Sequence, residues 1–462
     1  MKWMSCPLTA TVADFNPSVQ TNGFWGVRTP FAPSKCPFFY GWVIVFAATL
    51  GSIFTIPGQT MGFTVFTDVL MNELGLSRIE LSLAYCLGTV ASGITLPWLG
   101  RVLDCWGERK MAVVSTLATG AILFYLAACA PMTRGLSHVL PASFAAFLII
   151  GMGFYLVRAA AQGVLSMTCR NAIGKWFDHR RGLAMAISSI LVSFSFSLSP
   201  KLIEWIKENH GYDGAWVVMG MATILIMGPL AWLLFRDTPE EDGLCMDGGT
   251  EPKAHDNPDM YIEREFTRDE AVRDYSFWIF NAAFWFWAMF GTAFTFHATS
   301  IGDEYGFTRE RILNLFVPIA ATSVATNLLF GIINAKLRLK FLLVVMNLGC
   351  IAAAMGMLWL DQSGGVVAYV LGTGIAGGGF VSLSGIVFPR FYGREHLGAI
   401  SGVNMSVMVI GSGVGPLLFG ACHHFANSYR LILIVCAIIP AVLALLSLWA
   451  DNPQNKVAGG KP

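Results

Sequence analysis

The sequence has little charge. Only 13% of its 462 residues are Asp, Glu, Lys or Arg, whereas about a quarter is usual for a soluble domain. The formal net charge is +1, so no overall electrostatic attraction to nucleic acid is expected. The ten cysteines form no CxxC pair, and several lie in apolar runs. The sequence therefore predicts neither a disulfide framework nor a metal site.

Enzyme signatures are missing too. The sequence contains no HExxH, P-loop or GxSxG motif, so we expect no catalytic residues and no cofactor. The stretch "GTGIAGGG" (372–379) looks like a dinucleotide-binding loop, but it lies in an apolar segment and is interpreted as helix packing. Residues 1–38 contain no long apolar run, so no cleavable signal peptide is expected.

Long apolar runs dominate what is present. A helix needs about 20 mostly apolar residues to cross a bilayer, and in lipid its backbone groups must bond within the same segment. Twelve segments meet this requirement, and we predict an all-α membrane protein with twelve transmembrane helices in two six-helix pseudo-repeat bundles. The segments are 41–63, 79–98, 110–130, 142–168, 182–200, 213–235, 276–297, 312–333, 340–360, 365–388, 397–420 and 428–450.

The same map divides the chain into five regions. We predict a tail over 1–38, a first bundle over 39–235, a linker over 236–275, a second bundle over 276–450 and a tail over 451–462. The linker is rich in Pro, Gly and acidic residues. "KWFDHRRGLAMAIS" (175–188) and "RFYGREHLGAIS" (390–401) precede the fifth helix of each half, which favours a transporter built from repeats.

The Lys and Arg residues indicate an orientation. If both termini are cytoplasmic, 22 of the 30 basic residues lie in cytoplasmic segments and seven lie in outer loops. This bias predicts that both termini and the linker are cytoplasmic in an integral multi-pass membrane protein. For a bacterial protein, this would be the cytoplasmic, or inner, membrane.

The loop between the second and third helices reads "GRVLDCWGERK" (100–110). Gly100 and Gly107 permit a tight turn and close backbone approach. Asp104 would interact favourably with the N-terminus of a neighbouring helix. Arg109 and Lys110 are interpreted as basic anchors at the membrane face. We expect this loop to hold the two halves together in one conformational state; the alternative is a plain positive-inside loop.

The loop resembles the signature G-x-x-x-D-R-x-G-R-R/K of the major facilitator superfamily. Cys105 and Glu108 stand where that family usually has basic residues. "FYGWVIV", "WFDHRRGLAMAI", "FRDTPEEDGL" and "GSGVGPLLFG" are similar to the monocarboxylate transporter and oxalate/formate antiporter branch. The resemblance implies a secondary carrier that works by alternating access. The acid–arginine pair common in helix 8 of monocarboxylate transporters is absent, so the binding residues of that family do not carry over.

Arg158 is predicted to bind substrate. It interrupts the fourth apolar segment, and a charge inside a membrane span usually faces a cavity or the bundle interior. Its planar fork suits a carboxylate, whereas the alternative is a structural arginine that reaches the headgroups or satisfies backbone carbonyls. Tyr155 and Gln162 share its helix face.

Weaker predictions concern isolated polar residues in other spans. His297 could carry a coupled proton, although a structural hydrogen-bonded role is more usual. Gln59, Asn327 and Asn404 are further substrate-binding candidates, with helix packing as the alternative.

Together these features predict a secondary active transporter of a small, monocarboxylate-like organic anion. Its transport would be coupled to a proton or a counter-anion, and the protein would be embedded in the lipid bilayer. Two alternatives stay open: an exporter of amphipathic compounds, and a non-transporting membrane sensor built on the same fold.

Overall fold

The computed structural model describes residues 25–248 and 260–458, apart from Val27. Within these ranges the structure confirms the predicted all-α membrane fold: ten helices are long and apolar enough to cross a membrane, one of them (Arg181–Leu234) covers two predicted spans, and a shorter apolar helix precedes them. We number them α1 (Gly41–Ile53), α2 (Arg78–Trp106), α3 (Glu108–Ala127), α4 (Ala142–Trp176), α5 (181–210), α6 (212–234), α7 (Tyr275–Glu304), α8 (Phe316–Ile333), α9 (Leu339–Leu358), α10 (Ser363–Tyr392), α11 (Leu397–Ala426) and α12 (Arg430–Ser447).

Glycine and proline account for two departures from the predicted boundaries. Helices α5 and α6 form one long element, broken at Gly211, whose φ of 75° is non-helical. The first apolar segment ends as a helix at Ile53, earlier than predicted. Pro57 and Gly58 then form a 3-10 turn, and the chain continues in the short helix Thr60–Thr64. Proline cannot donate the backbone hydrogen bond that a continuous helix requires.

Two pairs of glycines bring the halves α1–α6 and α7–α12 into close contact. A side chain on Gly100 of α2 would collide with the carbonyl oxygen of Gly398 in α11. A side chain on Gly182 of α5 would likewise collide with the carbonyl oxygen of Gly331 in α8. Because glycine has no Cβ, the backbones can approach closely at both places.

Both contacts lie near the end of the bundle that carries residues 25–40 and 451–458, which we call the terminal face. Arg109 binds the carbonyls of Gly26 and Thr29 there, and Gln454 donates to the carbonyl of Phe391. The described part of the first tail is therefore packed against the first bundle.

The described parts of the linker also pack against the terminal face. The Asp247 carboxylate accepts backbone hydrogen bonds from residues 178, 179 and 180, just before α5. Glu265 accepts backbone hydrogen bonds from Arg394 and Glu395, just before α11. The start of the linker is thus bonded to the first half and its end to the second half. In each case the contact is with the loop before the fifth helix of that half, and these two loops have similar sequences.

Candidate functional site

A cavity of about 790 Å³ lies between the two halves. The first half contributes the end of the first apolar segment together with α4 and α5, and the second contributes α7, α10 and α11. The lining extends from Ile173 and Met185, toward the terminal face, to Thr64, Pro200 and Phe296, toward the opposite end. A central cavity with walls from both halves is where a ligand could contact both bundles at once.

Arg170 provides the positive charge of this cavity. Gln162, Ser166, Arg170 and Ile173 follow one another at helical spacing, so one face of α4 lines the cavity. The Arg170 side chain is half-buried, and it makes no hydrogen bond or ion pair with the residues that the structure describes. A guanidinium facing open space offers five N–H donors to an anion.

The sequence analysis missed Arg170 because it ended the fourth span at residue 168. Helix α4 continues to Trp176, so Arg170 lies inside the membrane-spanning helix, and Arg158 is not the only charge there. A signal was present in the sequence. Gln162, Ser166 and Arg170 are spaced four residues apart, which extends a polar helix face beyond the predicted end.

The two walls of the cavity differ in chemistry. The first half contributes Arg170, glutamines and many hydroxyls, whereas the second half contributes three of the aromatic rings, those of Trp287, Phe296 and Phe380. Among the described residues that line the cavity there is no Asp, Glu or His. The lining therefore carries a single formal charge, and it is positive.

Arg158, which the sequence analysis expected to bind substrate, lies outside this lining. Its side chain is 0% exposed, and its guanidinium donates to Thr89 (3.2 Å), the carbonyl of Gly58 (3.3 Å) and Ser412 of the other half (3.4 Å). It also lies 5.0 Å from the centre of the Tyr85 ring, within range of a cation–π interaction. These contacts favour the alternative that Arg158 is a structural residue bridging α2, α4 and α11.

The other polar residues singled out by sequence are divided between the cavity and the helix contacts. Gln59 and Gln162 line the cavity, and the buried Oε1 atom of Gln162 has no hydrogen-bond partner. Tyr155 lies outside the lining, and Asn327 is buried with its Oδ1 unpaired. Asn404 donates to Asn281 within the second half.

His297 is part of a hydrogen-bonded group within the second half. Its Nε2 lies 3.0 Å from the carbonyl oxygen of Pro416, and its Nδ1 lies 3.2 Å from the hydroxyl of Tyr429. The residue is not among those lining the cavity. Its proposed role in proton coupling remains a prediction.

Asp104 lies at the N-terminus of α11, the kind of location that the sequence analysis expected. Its carboxylate accepts hydrogen bonds from the backbone N–H groups of Gly398 (2.6 Å) and Ala399 (2.7 Å). The first N–H groups of a helix have no partner within the helix, and an anion there also interacts with the helix dipole. Asp104 therefore joins the two halves beside the Gly100 contact.

The rest of the motif is more buried than a headgroup anchor would be. Gly107 has the positive φ of 82° that suits a tight turn. Glu108 is 0% exposed, and its carboxylate lies 2.6 Å from Nζ of Lys175. Arg109 is only 3% exposed and binds backbone carbonyls, so its interpretation as a membrane anchor was wrong. Lys110 is exposed.

Arg394 adds a further contact between the halves. It precedes α11, yet its guanidinium donates to the carbonyl of Lys175 (2.7 Å) and to Glu240 (2.9 Å), both on the first-half side. At the corresponding contact between α5 and α8, the described residues provide an amide and no carboxylate comparable to Asp104. There Asn334 lies against Gly182, and Arg390 donates to the backbone carbonyl of Asn334.

This fold and central cavity define a membrane transporter built from two six-helix halves. Residues 48–373 match the Major Facilitator Superfamily, and the chain belongs to that family. It is therefore an integral multi-pass membrane protein and not an enzyme, as the sequence analysis predicted.

Relatives and solved structures agree with this assignment. The oxalate:formate antiporter of Oxalobacter formigenes is 23% identical over 407 residues, which cover 84% of this chain and 87% of that protein. Monocarboxylate transporter 9 of Gallus gallus is 26% identical over 239 residues, or 50% of this chain and 42% of that protein. The human organic anion transporter MFSD10 has a similar structure, with a TM-score of 0.60 and 13% identity, covering 89% and 100% of the two chains.

Proposed function

We propose that this protein is a secondary transporter that moves a small organic anion by alternating access, with Arg170 binding the anion. The observation that carries the proposal is a single cation in the central cavity, with no acidic residue among the described lining residues. A half-buried guanidinium without a counter-ion is costly, and a bound carboxylate would supply the missing charge. Arginine also pairs with a carboxylate through two parallel hydrogen bonds.

The charge of the cavity favours an anion over the alternatives. An exporter of amphipathic compounds is disfavoured where those compounds are cations, because Arg170 would repel them. The names of two relatives point the same way, because one exchanges oxalate and formate and the other is a monocarboxylate transporter.

Alternating access would proceed by breaking the contacts at the terminal face. Asp104, Arg394 and the glycine pair Gly100–Gly398 join the halves there, and the cavity extends toward the opposite end. Lys and Arg predominate in the loops of the terminal face, so we place this face in the cytoplasm. The conformation described is then the one that is open to the outside.

Orientation can be tested by labelling with a membrane-impermeant thiol reagent in intact cells. Ser363, at the start of α10, lies at the end opposite to the terminal face, and Cys105 is exposed on the terminal face. In a background without other cysteines, Ser363→Cys should be labelled and Cys105 alone should not. The reverse pattern would overturn the assignment of the terminal face to the cytoplasm. Asp256, a linker position that would serve the same test, lies outside the described residues.

Transport is tested by uptake of labelled monocarboxylates into proteoliposomes. Arg170→Gln should reduce uptake about 100-fold, because about 2.7 kcal/mol of charge-assisted binding is lost. Arg134→Gln, the same substitution at an exposed position of the helix Cys129–Leu136, is the matched control and should retain uptake. Normal uptake by Arg170→Gln would contradict the proposed site. No flux of any anion, with folded protein present, would favour the non-transporting sensor.

A further inference from the structure

We infer that the substrate is a monoanion with an aromatic body, of the arylalkanoic acid type, whose carboxylate binds Arg170 and whose ring packs on the wall formed by the second half. This inference rests on the proposed function, because it assigns a substrate class to the same cavity. It goes beyond a small organic anion by specifying the number of charges and the chemistry of the remainder of the molecule.

The number of charges follows from the lining. Arg170 is the one charged side chain among the described residues that line the cavity, and those residues include no histidine that could add a second positive charge. A dicarboxylate would place its second carboxylate where no described lining residue offers a positive charge, and an unpaired charge becomes expensive once alternating access closes the cavity around it. The cavity therefore suits one carboxylate.

Three hydroxyls of the first half that line the cavity already donate their protons to the backbone and do not compete with the guanidinium for the carboxylate. Ser52 donates its proton to the carbonyl of Ala48 (2.8 Å), Thr55 to that of Ser52 (2.6 Å) and Ser189 to that of Met185 (2.6 Å). A hydroxyl whose proton is already donated offers only its lone pairs, and a carboxylate offers only acceptors as well. Arg170 is also the one charged donor among the described lining residues, and charge-assisted hydrogen bonds are the stronger ones, so the guanidinium is where the carboxylate binds.

The aromatic wall is held in place by packing behind it. The Phe380 ring contacts Phe284, which is fully buried, with ring centres 5.6 Å apart and an interplanar angle of 83°. The Trp287 indole lies close against Gly377, where a Cβ would come within 3.0 Å of the ring. Such fixed rings can accept another ring edge-to-face or offset-stacked, which adds binding energy beyond simple burial.

Methionines complete the apolar part of the lining. Met405 and Met408 come from α11, and Met61 and Met185 from the first half. Methionine is flexible, and its sulfur makes favourable contacts with aromatic rings. The volume of about 790 Å³ far exceeds the needs of a two- or three-carbon acid, and it falls within the range typical of pockets for larger ligands.

Calorimetric titration of the full-length protein in nanodiscs tests the substrate class with four ligands. Phenylacetate is compared with propionate, which lacks the ring; with phenylacetamide, which lacks the charge; and with phenylmalonate, which carries two charges. We expect phenylacetate to bind at least about tenfold more tightly than each of the other three, or about 1.4 kcal/mol. Propionate loses the burial and stacking of the ring, phenylacetamide loses the charge-assisted pair, and phenylmalonate brings a second charge without a partner.

Substitutions at two tryptophans of α7 distinguish the ring contact from general effects. Trp287→Ala should weaken phenylacetate binding about tenfold and leave propionate binding within about twofold, whereas Trp287→Phe should restore most of the loss. Trp278→Ala is the matched control, because Trp278 is on the outer surface of the same helix and is 48% exposed. It should bind both acids as the parent protein does.

The outcomes separate this inference from the proposed function. Equal binding of propionate and phenylacetate, unchanged by Trp287→Ala, would overturn the aromatic substrate and leave the organic anion carrier standing. Tighter binding of phenylmalonate than of phenylacetate would overturn the single-charge argument. Equal binding of phenylacetamide and phenylacetate, with no effect of Arg170→Gln, would overturn the proposed function as well.

Discussion

The two arginines of α4 are chemically identical and lie in one helix, yet their surroundings differ completely. Arg158 is fully buried, and its guanidinium is surrounded by two hydroxyls, a backbone carbonyl and an aromatic ring. Arg170 faces a cavity and makes no hydrogen bond or ion pair with the residues that the structure describes. The first charge is held by neutral groups from both halves, and the second is available to a ligand.

Local helix geometry contributes to this difference. The stretch Arg158–Leu165 is π-helical, and the regular α-helix resumes at Ser166. A π-helical segment is wider than an α-helix and alters which residues face a given neighbour, and such segments often occur at functional sites. Arg158 begins this segment and faces α2, whereas Gln162, Ser166 and Arg170 face the cavity. A charge in a membrane span therefore indicates a binding site only when its side chain is not already paired with other groups of the protein.

Removing each charge in turn should give the largest difference between the two arginines. Arg170→Met should weaken the binding of a monocarboxylate about 100-fold or more, whereas Arg158→Met should change it less than about threefold. Thermal stability of Arg158→Met should be unchanged or higher, because a buried charge without a counter-charge is replaced by an apolar side chain of similar length. Calorimetric binding and thermal unfolding measure both effects. If only Arg158→Met lost binding, Arg158 would be the anion-binding residue and Arg170 would not.

A conservative substitution separates the contribution of the Arg170 charge from that of its planar geometry. Arg170→Lys keeps the positive charge but loses the planar fork that pairs with both oxygens of a carboxylate. We expect affinity to fall about 10-fold to 30-fold, or about 1.4 to 2 kcal/mol. The loss should be larger for carboxylates than for chloride, which has no paired oxygens. Equal losses for the two anions would indicate that Arg170 acts only as a point charge.

The contact at the terminal face should affect the rate and leave binding intact. Asp104→Asn preserves the shape of the side chain and removes the charge that interacts with the first N–H groups of α11. We expect transport to change about tenfold, which corresponds to about 1.4 kcal/mol, with anion affinity nearly unchanged. Unchanged transport by well-expressed protein would leave Asp104 as part of a topology signal.

The smallest expected effect concerns pH and Glu241, near the terminal face. Burial, together with the nearby carboxylates of Asp237 and Glu108, raises the pKa of Glu241 from 4.5 to about 8. The unfolded chain releases this proton near pH 4.5, whereas the folded protein keeps it up to about pH 8, so stability falls as the pH rises between these values. Glu241→Gln should flatten this slope, with a difference in Tm of about 2 °C at pH 8. If Tm fell equally steeply with pH in Glu241→Gln and in the parent protein, the carboxyl would be ionised in the folded protein.

Sequence alone was sufficient for the fold because the requirement for about 20 apolar residues per span is nearly independent of tertiary contacts. It also predicted the environment of Asp104, since an acid just before a tight turn between two helices can interact favourably with the N-terminus of a neighbouring helix. It failed at Arg170 because a basic residue near the end of an apolar segment looks the same in sequence whether it faces headgroups or a cavity. Which direction a side chain faces depends on packing between the halves, and that is not encoded in hydropathy.

The central claim is that the ligand's anion binds Arg170 and not Arg158. The most direct measurement is an experimental structure of the protein bound to a halogenated arylalkanoate, such as 4-bromophenylacetate, with the bromine located by its anomalous signal. The account predicts carboxylate oxygens about 2.7 to 2.9 Å from the guanidinium nitrogens of Arg170 and bromine on the side of Trp287 and Phe380. A carboxylate bound to Arg158, or a ligand outside the cavity, would contradict it.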